Sequence, residues 1–170
     1  MRRAAVGDGK LKAIYPGSFD PITSGHLDII ERATAVFGSV IVAVAVNMEK
    51  KPLFSVEERV ALLREACRHL DNVTVDCFEG LTVDYARKQG AQVLIRSLRA
   101  VSDFEFELQM ALMNKRLNEN IETLFMMTSA EYSFLSSSLV KQLVELGAPV
   151  TGLVPKCVEE KLLEKIKSRG

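Results

Sequence analysis

The sequence carries no surplus of charge: 22 Lys and Arg offset 22 Asp and Glu. Its bulk charge therefore suggests neither a nucleic acid nor an anionic membrane as partner. It has no apolar run of membrane-spanning length. The longest, Val40 to Val46, is seven residues, whereas a spanning helix needs about 20. Cysteine is sparse: Cys67, Cys77 and Cys157 are odd in number, scattered and without metal-ligand spacing, which fits a reducing intracellular compartment. No metal-ligand cluster is visible. With two histidines, His26 and His69, and no cysteine in a suitable turn, no nucleophilic triad can be assembled. Met1-Arg2-Arg3 is basic, but Ala4 to Lys10 holds no apolar h-region, so the reading predicts no signal peptide. Residues 1–10 read as a flexible N-terminal extension. Internal repeats and low-complexity segments are also lacking.

What is there reads as one domain, residues 11–170, with 48% apolar content to build a core. Strands are expected at Leu11 to Tyr15, Val40 to Val46, Val73 to Phe78, Val93 to Ile95 and Thr123 to Met127. Helices are expected from His26 to Phe37 and from Ser55, which opens a capping box with Glu58, to about Leu70. Further helices follow at Val83 to Gln89, Ser102 to Leu117, Ser136 to Leu146 and Val158 to Lys167. Gly38, Gly90 and Gly147 mark helix ends. Phe104, Phe106, Leu108, Met110 and Met113 read as core, since a long helix must bury a face. Strand and helix alternate about five times with short connections, which predicts an α/β fold: a doubly wound, parallel five-stranded sheet of Rossmann-like type. Such folds bind ligands at the carboxyl ends of their strands.

Those ends hold the informative residues. Tyr15 to His26 reads Y-P-G-S-F-D-P-I-T-S-G-H: a strand, a tight turn and a helix start. Backbone N–H groups and the positive helix end suit a phosphate chain there, and a histidine in the first turn can reach a phosphoryl oxygen. A lone histidine at such a place is in most proteins a surface or hydrogen-bonded residue. The other strand ends supply Lys50 and Lys51, Gly80 to Thr82, Arg96 to Arg99, and Ser129 to Ser138. Lys50-Lys51 alone would be an ordinary solvated pair. Arg96 and Arg99 could clamp a phosphate or pair with Asp103 or Glu105. Ser136-Ser137-Ser138 could be a plain N-cap or an anion cradle. A neutral chain with its cations gathered at one sheet edge reads as a binder of small phosphorylated ligands. Phosphoryl or nucleotidyl transfer fits, because it depends on positioning and charge neutralisation and needs no triad.

Four blocks then carry a resemblance: Pro16 to Pro21 with Thr23-Ser24-Gly25-His26; Lys50-Lys51-Pro52; Ile95 to Ala100 with Asp103 to Glu107; and Tyr132 to Ser138. In this order and spacing, over about Lys12 to Lys165, the chain resembles the bacterial phosphopantetheine adenylyltransferase family of the T/H-x-G-H nucleotidyltransferase superfamily. The resemblance implies adenylyl transfer from ATP to 4′-phosphopantetheine, giving dephospho-coenzyme A and pyrophosphate. It implies Mg²⁺ brought with ATP, no metal held by the protein itself, coenzyme A as feedback inhibitor, and a cytoplasmic homohexamer. It implies catalytic roles for His26, Lys50 and Arg99. It places Ser18, Phe19, His26, Ser97, Leu98, Arg99, Glu107 and Tyr132, Ser133, Phe134, Leu135, Ser136, Ser137 and Ser138 at ATP. It places Ser18, Lys50, Leu81, Thr82, Arg96, Met113 and Asn114 at the acceptor. Three positions depart from the family pattern. Ser18 replaces a common Thr, Tyr132 a common Trp or Phe, and Ser97 a usual Gly. A positive φ at residue 97 would cost a serine about 1 kcal/mol.

Two other readings remain open at this stage. One is a related nucleotidyltransferase acting on nicotinate mononucleotide or glycerol 3-phosphate. The other is a nucleotide-binding module without turnover.

Overall fold

Strand β2 (Ser39–Ala45) is buried at every position from Val40 to Val44, so both faces of the sheet must be covered there. The computed structural model, which describes residues 11–46, 52–99 and 101–167, supplies that cover. Its strands are β1 (Lys12–Gly17), β2, β3 (Val73–Phe78), β4 (Val93–Leu98) and β5 (Glu122–Met127). They form one five-stranded sheet in the order β3-β2-β1-β4-β5, and every pairing is parallel. The helices are α1 (Ser24–Val36), α2 (Val56–Ala66), α3 (Thr82–Lys88), α4 (Val101–Leu117), α5 (Ser137–Glu145) and α6 (Lys156–Lys167). A 3-10 turn at Ala130–Tyr132, between β5 and α5, was not expected from the sequence.

Alternate residues of β1 feed two cores, as a strand's two-residue period requires. Ala13 and Tyr15 join Ile29, Ile30, Leu63, Val140 and Leu162, from α1, α2, α5 and α6. Ile14 joins Ile41, Ala43, Leu94 and the α3 residues Val83 and Ala86 on the other face. The strand order reverses between β1 and β4, and this switch point is where a ligand crevice opens in a doubly wound sheet. Residues 1–10 and Lys50-Lys51 lie outside the described residues, so the expectations placed on them are not addressed.

The expected doubly wound parallel sheet is the one observed, with differences at element ends. Strand β1 runs on through Pro16 and Gly17, because both pair with β2. Strand β4 runs on to Leu98, because Arg96, Ser97 and Leu98 pair with β5. Arg96 and Ser97 are therefore strand residues rather than loop residues. Phe19 alone among described non-glycine residues has a positive φ, 46°, so Ser97 bears no backbone strain. Gly90 and Gly147 do end α3 and α5 with φ of 65° and 74°, the left-handed region that glycine enters without a Cβ clash. Helix α2 stops at Ala66, four residues short of the expected end. The helix α4 expectation is overturned: Phe104, Phe106, Leu108, Met110 and Met113 are exposed rather than core. The helix packs along β4, β5 and α3 at the outer end of the sheet, and its far side is exposed among the described residues. Among the described residues no helix is long and apolar enough to cross a membrane.

Candidate functional site

A cavity of about 480 Å³ opens at the switch point, lined by the ends of β1 and β4, the start of α1, one face of α4 and the start of α5. Its volume is in the range of small-molecule sites. A wider groove between α2 and α6, floored by Phe54, Leu62 and Cys157, lies away from the strand ends.

The β1–α1 loop is fixed from three sides. Asp20, buried, accepts hydrogen bonds from the backbone N–H groups of Leu53 and Phe54, both 2.9 Å, and from Lys141 Nζ at 2.8 Å. Burial alone would raise its pKa, but the Lys141 ammonium and the two N–H donors hold the carboxyl below the ordinary carboxylate range. Buried Arg59 donates to the Ser18 carbonyl at 2.8 Å. Ser137 Oγ donates to the Pro21 carbonyl at 2.7 Å, tying the first turn of α5 to the same loop.

This loop delivers Phe19 and His26 to the cavity. The Phe19 ring lies 5.2 Å from that of His26 and 5.4 Å from that of Tyr15, both edge-to-face. It also occupies the space beside Gly17, where an added Cβ would come within 3.0 Å of two ring atoms. Thr23 caps α1, and His26 at the third helical position completes a capping box. His26 N–H donates to Thr23 Oγ1 at 3.3 Å, and Thr23 N–H donates to His26 Nδ1 at 3.0 Å. Burial first, and the Arg99 charge second, push the His26 pKa down to about 4. The ring is neutral near pH 7.

The opposite wall is cationic but paired. Arg96 Nε and Nη2 each donate to a separate oxygen of Glu107 at 2.6 Å, and Nη1 donates to the Pro16 carbonyl at 3.1 Å. Those bonds use three of the five guanidinium N–H groups, leaving two for a ligand. Arg99 Nε donates to Asp103 at 3.1 Å and Nη1 to the Leu135 carbonyl at 3.2 Å. Asp103 and Glu107, four residues apart, share one face of α4 and serve one arginine each. Of the two pairings open in the sequence for Arg99, Asp103 is the one made; Glu105 is not the partner of either arginine. Tyr15, buried, donates its hydroxyl to Ser97 Oγ at 3.2 Å, and burial pushes its pKa up to about 12. Ser136 caps α5 by accepting from Leu139 N–H at 3.0 Å. The N-termini of both α1 and α5 thus open on one cavity, and both favour anions.

Of the residues singled out in the sequence, Ser18, Phe19, His26, Arg96, Ser97, Arg99, Glu107, Leu135, Ser136, Ser137 and Ser138 line this cavity. Leu98, Tyr132, Ser133 and Phe134 do not: Leu98 is buried beside its register partner Met127 in the sheet, and Tyr132 lies over Gly25, whose added Cβ would meet it at 3.2 Å. Leu81, Thr82, Met113 and Asn114 also lie off it. Met113 and Asn114 follow Phe106 and Glu107 by seven residues, so they continue the cavity face of α4 about 10 Å further along the helix. Lys50 is outside the described residues. Sequence reasoning missed Tyr15, Phe106 and Thr128, which also line the cavity. Tyr15 was detectable, since a buried phenol at a strand end needs a partner for its hydroxyl.

Residues 14–143 match the cytidylyltransferase-like family. The phosphopantetheine adenylyltransferase of Carboxydothermus hydrogenoformans is 58% identical over 158 residues, 93% of this chain and 98% of that one. That of Clostridium novyi is 58% identical over 154 residues, 91% of this chain and 96% of its own. The solved structure of a Vibrio parahaemolyticus protein described as a nicotinate-nucleotide adenylyltransferase superposes with a TM-score of 0.66 at 19% identity, covering 91% of this chain and 99% of that one. That last likeness speaks for the fold alone.

Proposed function

The chain belongs to the phosphopantetheine adenylyltransferase family, and from that premise we propose that it transfers the adenylyl group of ATP to the phosphate of 4′-phosphopantetheine. Dephospho-coenzyme A and pyrophosphate are the products. The acceptor phosphate attacks the α-phosphorus in line, and no covalent enzyme intermediate forms. The observation that carries this is the convergence of two helix N-termini, two arginines and His26 on one cavity. The acceptor is already an anion, so no general base is needed; the obstacle is bringing two anions together. Two arginines and two positive helix ends offset that repulsion.

In this reading Arg96 and Lys50 hold the acceptor phosphate, Ser18 meets both substrates, and Leu81, Thr82, Met113 and Asn114 line the path of the pantetheine arm. Phe19, Ser97, Arg99, Glu107 and Leu135 to Ser138 serve ATP from the cavity wall, and Leu98 and Tyr132 to Phe134 support that wall from outside its lining. His26 donates to an α-phosphate oxygen as charge builds there. Mg²⁺ enters as part of the nucleotide substrate. Among the described residues no group of three His, Cys, Asp or Glu side chains could hold it, and both cavity carboxylates are paired to arginines. The donor set therefore suits a metal carried by phosphates.

Coenzyme A, sharing the pantetheine arm and adenylate, would compete at the same site. The exposed apolar residues Phe104 and Leu112 of α4, with Leu124 and Met127 of edge strand β5, leave apolar surface at this end of the sheet that fits burial between copies. A homohexamer in the cytoplasm is the expected assembly. The deciding experiment is pyrophosphate release from Mg·ATP with and without 4′-phosphopantetheine. Release that requires this acceptor supports the reading. Release only with nicotinate mononucleotide or glycerol 3-phosphate, or ATP binding without turnover, overturns it.

A further inference from the structure

A histidine aimed at a reacting phosphate can act as a cation, a base or a neutral donor, and the helix cap of α1 decides among them. Thr23 N–H donates to His26 Nδ1 at 3.0 Å. A backbone N–H can only donate, so Nδ1 must present its lone pair there. A proton on Nδ1 would face that N–H head-on. Thr23 Oγ1 lies 3.0 Å from the same nitrogen and also receives the His26 N–H at 3.3 Å, so the threonine grips both ends of the contact. The ring's remaining proton is then on Nε2. Nε2 has no partner among the described residues. No buried side-chain nitrogen or oxygen among the described residues lacks one, so Nε2 opens on the cavity that His26 lines.

We infer that Thr23 is a positioning residue that holds His26 as the neutral Nε2–H tautomer, so that His26 serves the reaction as a fixed hydrogen-bond donor and not as a base or a cation. The inference rests on the adenylyl-transfer reading only for the identity of the oxygen that receives the bond. The surroundings agree. The titratable and charged groups lining the same cavity are Tyr15 from β1, Arg96 from β4, Arg99 from the β4–α4 connection, and Asp103 and Glu107 from α4. Both carboxylates are paired to the arginines. Arg99 opposes a positive ring, and burial pushes the His26 pKa down to about 4. A neutral donor costs no proton exchange and stays competent across the neutral range.

The test is ¹⁵N NMR of the imidazole in the full-length protein with His69→Gln, which leaves one histidine. From about pH 8 to about pH 5, well across the ordinary histidine range, the expected signals are an unprotonated Nδ1 and a protonated Nε2. An Nδ1–H tautomer, or imidazolium signals near pH 6, overturns the inference. This readout needs no substrate, so it stands or falls separately from the proposed reaction. Thr23→Val keeps the backbone N–H but loses the hydroxyl that holds it on Nδ1; with that contact loosened, the Nδ1–H tautomer should become detectable, the His26 pKa should rise by about one unit and kcat should fall roughly tenfold, with KM for ATP within about twofold. Thr23→Ser should restore all three. Wild-type NMR signals in the folded Thr23→Val variant would assign the threonine a merely structural role.

His26→Gln separates donor from base. Glutamine suits the third position of a capping box and can accept from Thr23 N–H while its amide donates into the cavity, yet it cannot titrate. It should retain about tenfold more kcat than His26→Ala. Equal loss in both variants would rule out the donor role.

Discussion

Arg96 grips Glu107 with two nitrogens, each 2.6 Å from its own carboxylate oxygen, so β4 and α4 are joined by a two-pronged ion pair inside the cavity. The pair holds the guanidinium plane still while leaving two of its N–H groups unused. Arg96→Ala is expected to raise KM for 4′-phosphopantetheine about tenfold or more, and to change ATP binding less. Glu107→Ala frees the arginine to swing. It should lower stability by about 1–3 kcal/mol, the pair being only partly buried. Steady-state kinetics on the first variant and urea unfolding on the second check these outcomes. An unchanged acceptor KM in Arg96→Ala would remove Arg96 from the acceptor site.

Asp20 offers a prediction in the pH dimension. Its carboxylate takes two backbone N–H donors and the Lys141 ammonium, and its pKa lies below the ordinary carboxylate value of 3.8. A carboxyl with a depressed folded pKa stabilises the fold fully above its unfolded pKa. That contribution is lost as pH falls through the folded value. Asp20→Asn should therefore cost about 2 kcal/mol near neutral pH, because it leaves a half-buried ammonium and a buried N–H without their acceptor. The gap between variant and wild type should narrow below about pH 4. Unfolding free energies measured across that range give the check; a gap that stays constant would mean the carboxylate charge is not what stabilises the loop.

Gly17 and Phe19 make a third test. A methyl at residue 17 would sit 3.0 Å from two atoms of the Phe19 ring, and that ring packs against His26. Gly17→Ala must displace the ring, which packs against both Tyr15 and His26. Overpacking of this kind costs about 1–3 kcal/mol. Activity should suffer beyond what the change in Tm explains, since His26 moves with its neighbour. A variant with lowered Tm and wild-type kcat would show that the ring yields in another direction.

The sheet was legible because its signals are local and strong. The apolar run of β2 could only be a strand covered on both faces, the Ser55–Glu58 capping box marks the start of α2, and Gly90 and Gly147 sit where the chain needs positive φ. The end of β4 was not legible. Arg96 looks like the end of an apolar run, but pairing with β5 extends the strand under it, and no local pattern reports a partner about 30 residues away in the chain. Helix α4 misled for a related reason: its apolar residues look like a core face, yet they stay exposed among the described residues. Within the site, the sequence named both arginines and His26. It offered Asp103 or Glu105 as partners for the arginines and so contained the Arg99–Asp103 pair, but it did not reveal that Glu107 holds Arg96, because that depends on the pitch of α4 against β4.

Ser97 carries the last prediction. It stands where the family usually has glycine, and its strand geometry leaves it free of strain. Its hydroxyl accepts from buried Tyr15 at 3.2 Å. A phenol buried without a partner costs about 1–3 kcal/mol, and a satisfied one gains about 1 kcal/mol. Ser97→Ala should therefore destabilise by about 1 kcal/mol, and Tyr15→Phe by a similar amount. The double variant should cost less than the sum, because removing both polar groups strands neither. Urea unfolding of the four proteins closes the cycle. Strict additivity would mean that the Tyr15 hydroxyl draws its stability from cavity water, and that Ser97 is a bystander to it.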